Sequence, residues 1–153
     1  MKEIRLDSPL NGHLIELKDV KDPAFASGAM GKGAAVKDPD GKVYSPVDGE
    51  VTVFFGTKHA IGIHADNGAD ILIHVGIDTV ELNGQGFETI AQQGQKVTAG
   101  DPLLRFDPVA IRKAGYDPTI MIIVMNPRDI HLTPLAEGSV QALSLIHISE
   151  PTR

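Results

Sequence analysis

The side chains best suited to chemistry near neutral pH are six histidines, since the chain has no cysteine and imidazole titrates closest to neutrality. Two of them, His59 and His74, lie on either side of Asp66-Asn67-Gly68, and Asn-Gly is among the strongest short hairpin signals. Centred on Asp66-Asn67, the hairpin sets His59 opposite His74. With Asn67-Gly68 as a two-residue turn, His59 faces Gly76 and lies diagonal to His74. Either register puts both imidazoles on one face, because strand side chains have period two, at about 5 to 8 Å between Cβ atoms. Two rings that close can share a ligand smaller than a sugar.

The neighbours shape what the pair can do. Leu72 and Ile61 share its face in these registers, and apolar surroundings favour neutral imidazole, whose bare ring nitrogen is a nucleophile. Gly76 leaves room for a large partner, Asp78 can receive a cationic group, and Thr57 carries a hydroxyl that can orient His59. Three readings fit: a structural cross-strand pair, a metal site with Asp78 as the only nearby third ligand, or phosphoryl or acyl transfer. His64 falls on the other face. His13 and His131 have no local partner and read as surface or structural residues.

The elements that must carry this pair are short. The chain has 153 residues with 16 glycines and 10 prolines, which suits one domain of many strands and turns. β-type runs lie at Lys42–Ser45, Glu50–Phe55, Ala60–His64, Ile71–Val75, Leu103–Phe106 and Ile120–Met125, suggesting an all-β sandwich or barrel with one or two short helices. One helix is signalled by Asp107 as cap, Pro108 in its first turn and Gly115 at its end. A second helical turn is expected near Phe87–Gln92. A Pro-turn-Gly-strand unit occurs three times, at Ser8–Leu14, Ser45–Val51 and Thr133–Val140. Residues 1–143 read as one domain. Residues 144–153 read as a tail with the look of a cloning scar, and neither they nor His147 carry a functional argument.

Composition excludes some functions. A net charge of −6 argues against a nucleic-acid partner, which calls for a cationic surface. Without cysteine there are no disulfides, thiolate metal sites or thiol nucleophiles. No apolar run reaches the length of a membrane span, and MKEIRLDSPL lacks a signal-peptide core, so a soluble cytoplasmic protein is expected.

At His74-Val75-Gly76-Ile77-Asp78-Thr79-Val80-Glu81-Leu82 the chain resembles the glucose-type IIA components of the phosphoenolpyruvate:sugar phosphotransferase system, in which this motif surrounds the phosphorylation site. Further blocks match in order: Ser45–Gly49, Thr57–Ala60, Asn83–Phe87, Gly94–Val97 and Lys113–Thr119. The resemblance runs from about Ile4 to Leu143. It implies an antiparallel sandwich of the duplicated-hybrid-motif type and a phosphocarrier without cofactor or metal. It implies that His74 accepts a phosphoryl group on Nε2 from the phosphocarrier HPr and passes it to a cysteine of a IIB domain. His59 resembles the second site histidine, holding the phosphoryl oxygens, and Thr57 the residue that orients it. The Gly76 carbonyl would accept from Nδ1–H of His74. Asp78 would help recognise HPr at the rim, beside a docking surface of Ala24, Met30, Phe55, Leu72 and Val80. Contact with the membrane would be indirect, through a permease. After the third repeat the chain departs from the family's usual ending and runs Gln141–Ile148.

Three other functions compete. A zinc peptidase on a related fold would need a His-x-His pair, which the sequence lacks. A biotinyl or lipoyl carrier would need lysine directly after Met at a hairpin tip, which Ala29-Met30-Gly31-Lys32 does not supply. A regulator that binds transporters or enzymes according to its phosphorylation state is compatible with the resemblance.

Overall fold

The computed structural model describes the backbone of residues 3–7, 12–16, 20, 32–37, 39–66, 68, 70–124, 131–133, 138–140 and 145–149, and the side chains of 20, 35–37, 39–66, 68 and 70–123. Its strands are β1 (Glu3–Asp7), β2 (Gly12–Glu16), β3 (Lys32–Lys37), β4 (Lys42–Tyr44), β5 (Gly49–Phe54), β6 (Ala60–Ala65), β7 (Asp70–Ile77), β8 (Phe87–Thr89), β9 (Lys96–Val97), β10 (Pro102–Phe106), β11 (Asp117–Val124), β12 (His131–Thr133), β13 (Gly138–Val140) and β14 (Leu145–Ser149). The six runs visible in the sequence are β4, β5, β6, β7, β10 and β11. Each copy of the repeated unit opens a strand at its glycine, since β2, β5 and β13 begin at Gly12, Gly49 and Gly138. Two of the copies pair directly, β13 against β2.

All pairings are antiparallel. One sheet runs β13-β2-β3-β11-β7-β6-β5-β9, a second β4-β10-β8, and a third β1-β14-β12, in which the last strand of the chain lies between β1 and β12. The main core lies between the central strands and β4-β10-β8. Ile61, Ile63, Ile71, Ile73, Val75, Ile120 and Ile122 meet Val43, Leu104, Phe87 and Phe106 there. Full burial of each large side chain is worth roughly 1.5–3 kcal/mol. The opposite face of β6, β7 and β11 carries a smaller cluster that includes Ala60, Leu72, Met121 and Ile123. The site is built on that second face, so the core behind it serves as a rigid backing.

The helix forms as its signals require. Helix α1 (Pro108–Lys113) starts at Asp107, whose Oδ1 accepts from the Ala110 N–H at 3.1 Å, and Gly115 beyond it has φ +93°. The second helical turn expected at Phe87–Gln92 is absent. Phe87–Thr89 is β8, paired with β10. Phe87 stacks on Phe106 with centroids 6.4 Å apart, so the neighbouring strand and the core decide its conformation. A 3₁₀ turn forms earlier, at Thr79–Leu82.

Candidate functional site

The hairpin that carries the two histidines has neither of the registers expected from its sequence. Ala60 pairs with His74 and His64 with Asp70, so His59 aligns with Val75, whose N–H donates to the His59 carbonyl at 2.7 Å. The reason lies in the turn. Gly68 N–H donates to the Ala65 carbonyl at 2.9 Å and Gly68 has φ +95°, as in a three-residue loop with a glycine bulge rather than a two-residue turn. Every assignment of face by alternation then shifts by one. Ile61 belongs to the main core, opposite Ile73, and not to the face of the pair. His64 shares the strand face of His74, at the far end of β6, and its Nδ1 lies 2.6 Å from Asp70 Oδ1.

The rings meet all the same. Their centroids are 4.8 Å apart at an interplanar angle of 78°. Strict alternation from Ala60 would send His59 into the core beside Val75. His59 escapes because it lies outside β6, in the Gly56–His59 connection, where alternation does not hold. Phe55 packs edge-on to it, with ring centroids 5.7 Å apart.

Each ring is held by its Nδ1. His74 Nδ1 is 2.8 Å from the Gly76 carbonyl. A carbonyl only accepts, so Nδ1 carries the proton and the neutral ring keeps its lone pair on Nε2. His59 Nδ1 is 2.6 Å from Thr57 Oγ1. His59 is 4% exposed, and burial, followed by the neighbouring His74, pushes its pKa down from 6.5 to about 4. The unfolded chain therefore binds a proton between pH 6.5 and about 4 that the folded chain does not. Its contribution to stability is complete above the upper value and falls as the pH is lowered through that window. Urea midpoints should accordingly decline from neutral pH to about pH 4, and less steeply in His59→Gln. Equal slopes in the two proteins would contradict the burial of a neutral ring.

The Gly76 carbonyl is aimed by the backbone. Gly76 has φ +82°, and a Cβ there would strike the Thr79 side chain and come within 3.0 Å of the Asp117 carbonyl. Thr79 is buried and its hydroxyl donates to the Val75 carbonyl. Gly76→Ala is therefore expected to cost more than the roughly 1–2 kcal/mol of left-handed strain alone, lowering Tm by about 2–4 °C per kcal/mol. An unchanged melting curve would show that the turn tolerates a side chain.

The structure sorts the other residues singled out in the sequence. Phe55 and Val80 are 43% and 44% exposed, and Phe55 lies against the His59 ring. Leu72 is 5% exposed and lies on β7 between Gly62 and Ile123, on the strand face that carries His74. Asp78 is exposed at φ +59°, at the entry to the 3₁₀ turn. Ala24 and Met30 lie outside the described residues. His13, His131 and His147 lie on β2, β12 and β14, whose side chains are also outside them. Among the described residues no three His, Asp or Glu side chains group as a metal site, so Asp78 does not complete one with the pair. Sequence reasoning missed Ala60 and Met121, which flank His74 across β6 and β11. Only the true register identifies them.

Comparison with known proteins agrees with this architecture. Residues 4–130 match the family described as phosphoenolpyruvate-dependent sugar phosphotransferase system, EIIA 1. A beta-glucoside-specific EIIBCA component of Bacillus subtilis (strain 168) is 49% identical over 137 residues, which make up 89% of this chain and 22% of that protein. The chain thus spans about a fifth of such relatives. A glucose-specific EIIA component of Oceanobacillus iheyensis is 43% identical over 152 residues, covering 95% of this chain and 92% of that one. The solved glucose permease IIA from Mycoplasma capricolum superposes with a TM-score of 0.90 at 34% identity, covering 97% of this chain and 96% of that one. Family match, full-length relative and superposition coincide on the chain that carries the paired imidazoles, and this chain belongs to the EIIA family of phosphoenolpyruvate-dependent sugar phosphotransferase systems.

Proposed function

We propose that this EIIA chain carries phosphoryl groups on His74 Nε2, taking them from phospho-HPr and giving them to a cysteine of a IIB domain. The observation that carries this reading is the 2.8 Å bond from His74 Nδ1 to the Gly76 carbonyl, which leaves the lone pair on Nε2. In uptake, that lone pair forms a P–N bond as the P–N bond to the donor histidine breaks. In delivery, a thiolate attacks the same phosphorus and the His74 P–N bond breaks, returning the electron pair to Nε2. His59 stays neutral at neutral pH because its pKa is near 4. With the Thr57 hydroxyl donating to its Nδ1, His59 keeps its proton on Nε2 and offers it to a phosphoryl oxygen. Phosphoryl transfer depends on such positioning and charge stabilisation more than on covalent machinery.

Exposed Phe55 and Val80 give a partner an apolar seat that excludes water during transfer, and Asp78 stands at the rim for a cationic residue of HPr. A carrier between HPr and a permease acts in the cytoplasm; among the described residues no helix is long and apolar enough to cross a membrane. The test is transfer of radiolabel from phosphoenolpyruvate through enzyme I and HPr. One acid-labile phosphoryl group per chain, discharged on adding a IIB domain, is expected. No label, or label that IIB cannot remove, would defeat the proposal.

A further inference from the structure

Among the described residues only Lys58, Asp78 and Asn83 combine a side chain with positive φ, at +65°, +59° and +51°. All three lie in the two connections that frame the imidazoles. Such conformations are disfavoured for residues with a Cβ and gather where the backbone must aim a functional group. Lys58 stands directly before His59. Its N–H donates to the Phe55 carbonyl at 2.8 Å. At the other end of β6 the same bond, from Gly68 N–H to the Ala65 carbonyl, is followed by the same left-handed turn. Lysine thus occupies the place that glycine fills in the companion turn. The Lys58 side chain lies over Gly84, where a Cβ would sit 3.5 Å from Lys58 Cδ.

We propose that Lys58 is a positioning residue acting through its left-handed backbone, which turns the chain into His59 so that the ring leaves the face assigned by β6 and meets His74. Its ammonium group and its length are incidental to this role. The significance for transfer rests on the reading of the pair as the phosphoryl site, whereas the geometry stands without it.

Two substitutions separate backbone from side chain. Lys58→Gly removes charge and length and keeps the left-handed turn easy. Lys58→Val opposes that turn through its β-branch. Lys58→Gly is expected to leave the His59 ring titrating near 4 by NMR and onward transfer within about twofold of the parent. In Lys58→Val the His59 midpoint should rise by a unit or more toward 6.5, and onward transfer should fall about tenfold while charging of His74 continues. If Lys58→Val does not fold, Lys58→Ala, less opposed to the turn, should move both readings the same way by less. Equal losses in the glycine and valine variants would assign the role to the lysine side chain and overturn the proposal, as would an unmoved His59 midpoint in both Lys58→Val and Lys58→Ala. The titration needs no phosphoryl donor, so failure of the parent to take up label would sink the carrier reading and leave this one standing.

Discussion

On the proposed reading, His74→Gln is expected to lose phosphoryl uptake from HPr by a factor on the order of 10³ or more, as for removal of a nucleophile. Glutamine is a demanding test because it keeps much of what His74 does structurally. Its amide N–H can still donate to the Gly76 carbonyl, which in the parent accepts from His74 Nδ1–H with Nδ1 2.8 Å away, and its bulk still occupies the position between Ala60 and Met121. Its nitrogen, however, has its lone pair delocalised into the carbonyl and cannot attack phosphorus. Fold and function should therefore part company. Thermal unfolding should stay within a few degrees of the parent while label incorporation vanishes. Label retained at parental levels would place the acceptor elsewhere, with His59 the first alternative.

The second large effect falls on delivery. His59→Gln should still be charged on His74, because the Gly76 carbonyl that fixes the His74 tautomer stays in place. Onward transfer to IIB should drop by about 10²–10³, the usual consequence of removing one donor aimed at developing charge. The ring is already in place, buried, held by Thr57 and 4.8 Å from its partner, and on the proposed reading it is the neutral donor. Its removal leaves the phosphoryl oxygens without that support when the P–N bond lengthens. Rapid-quench measurement of both half-reactions distinguishes the roles. A variant that charges slowly and discharges normally would reverse the assignment of the two histidines.

Some of this was legible because it rests on local chemistry. The helix could be read from Asp107, Pro108 and Gly115, since a cap is satisfied within one turn of chain. Strands β4, β5, β6, β7, β10 and β11 could be read from β-type runs broken by turns, and the repeated unit from its glycines. The reading of the hairpin shows where such inference stops. Both expected registers brought His59 and His74 to one face by alternation. The real register, one residue different, would have separated them had the strand continued. The rings converge through the backbone of the Gly56–His59 connection instead. The segment at Phe87 went to a strand in place of a helix because β10 offered both a ladder and a stacking partner in Phe106.

Residue types and their order thus determined the chemistry available to this protein: paired imidazoles, a hydroxyl two residues before one of them and a glycine two residues after the other. They also determined an all-β scaffold, because glycine- and proline-bounded β-type runs have few other ways to bury their side chains. Tertiary structure alone decided which partner each Nδ1 meets, which residues lie against the rings, and how deeply His59 is desolvated. Those outcomes depend on register and backbone dihedrals, where a shift of one residue or one left-handed turn reverses a face, and no local pattern of side chains encodes that choice.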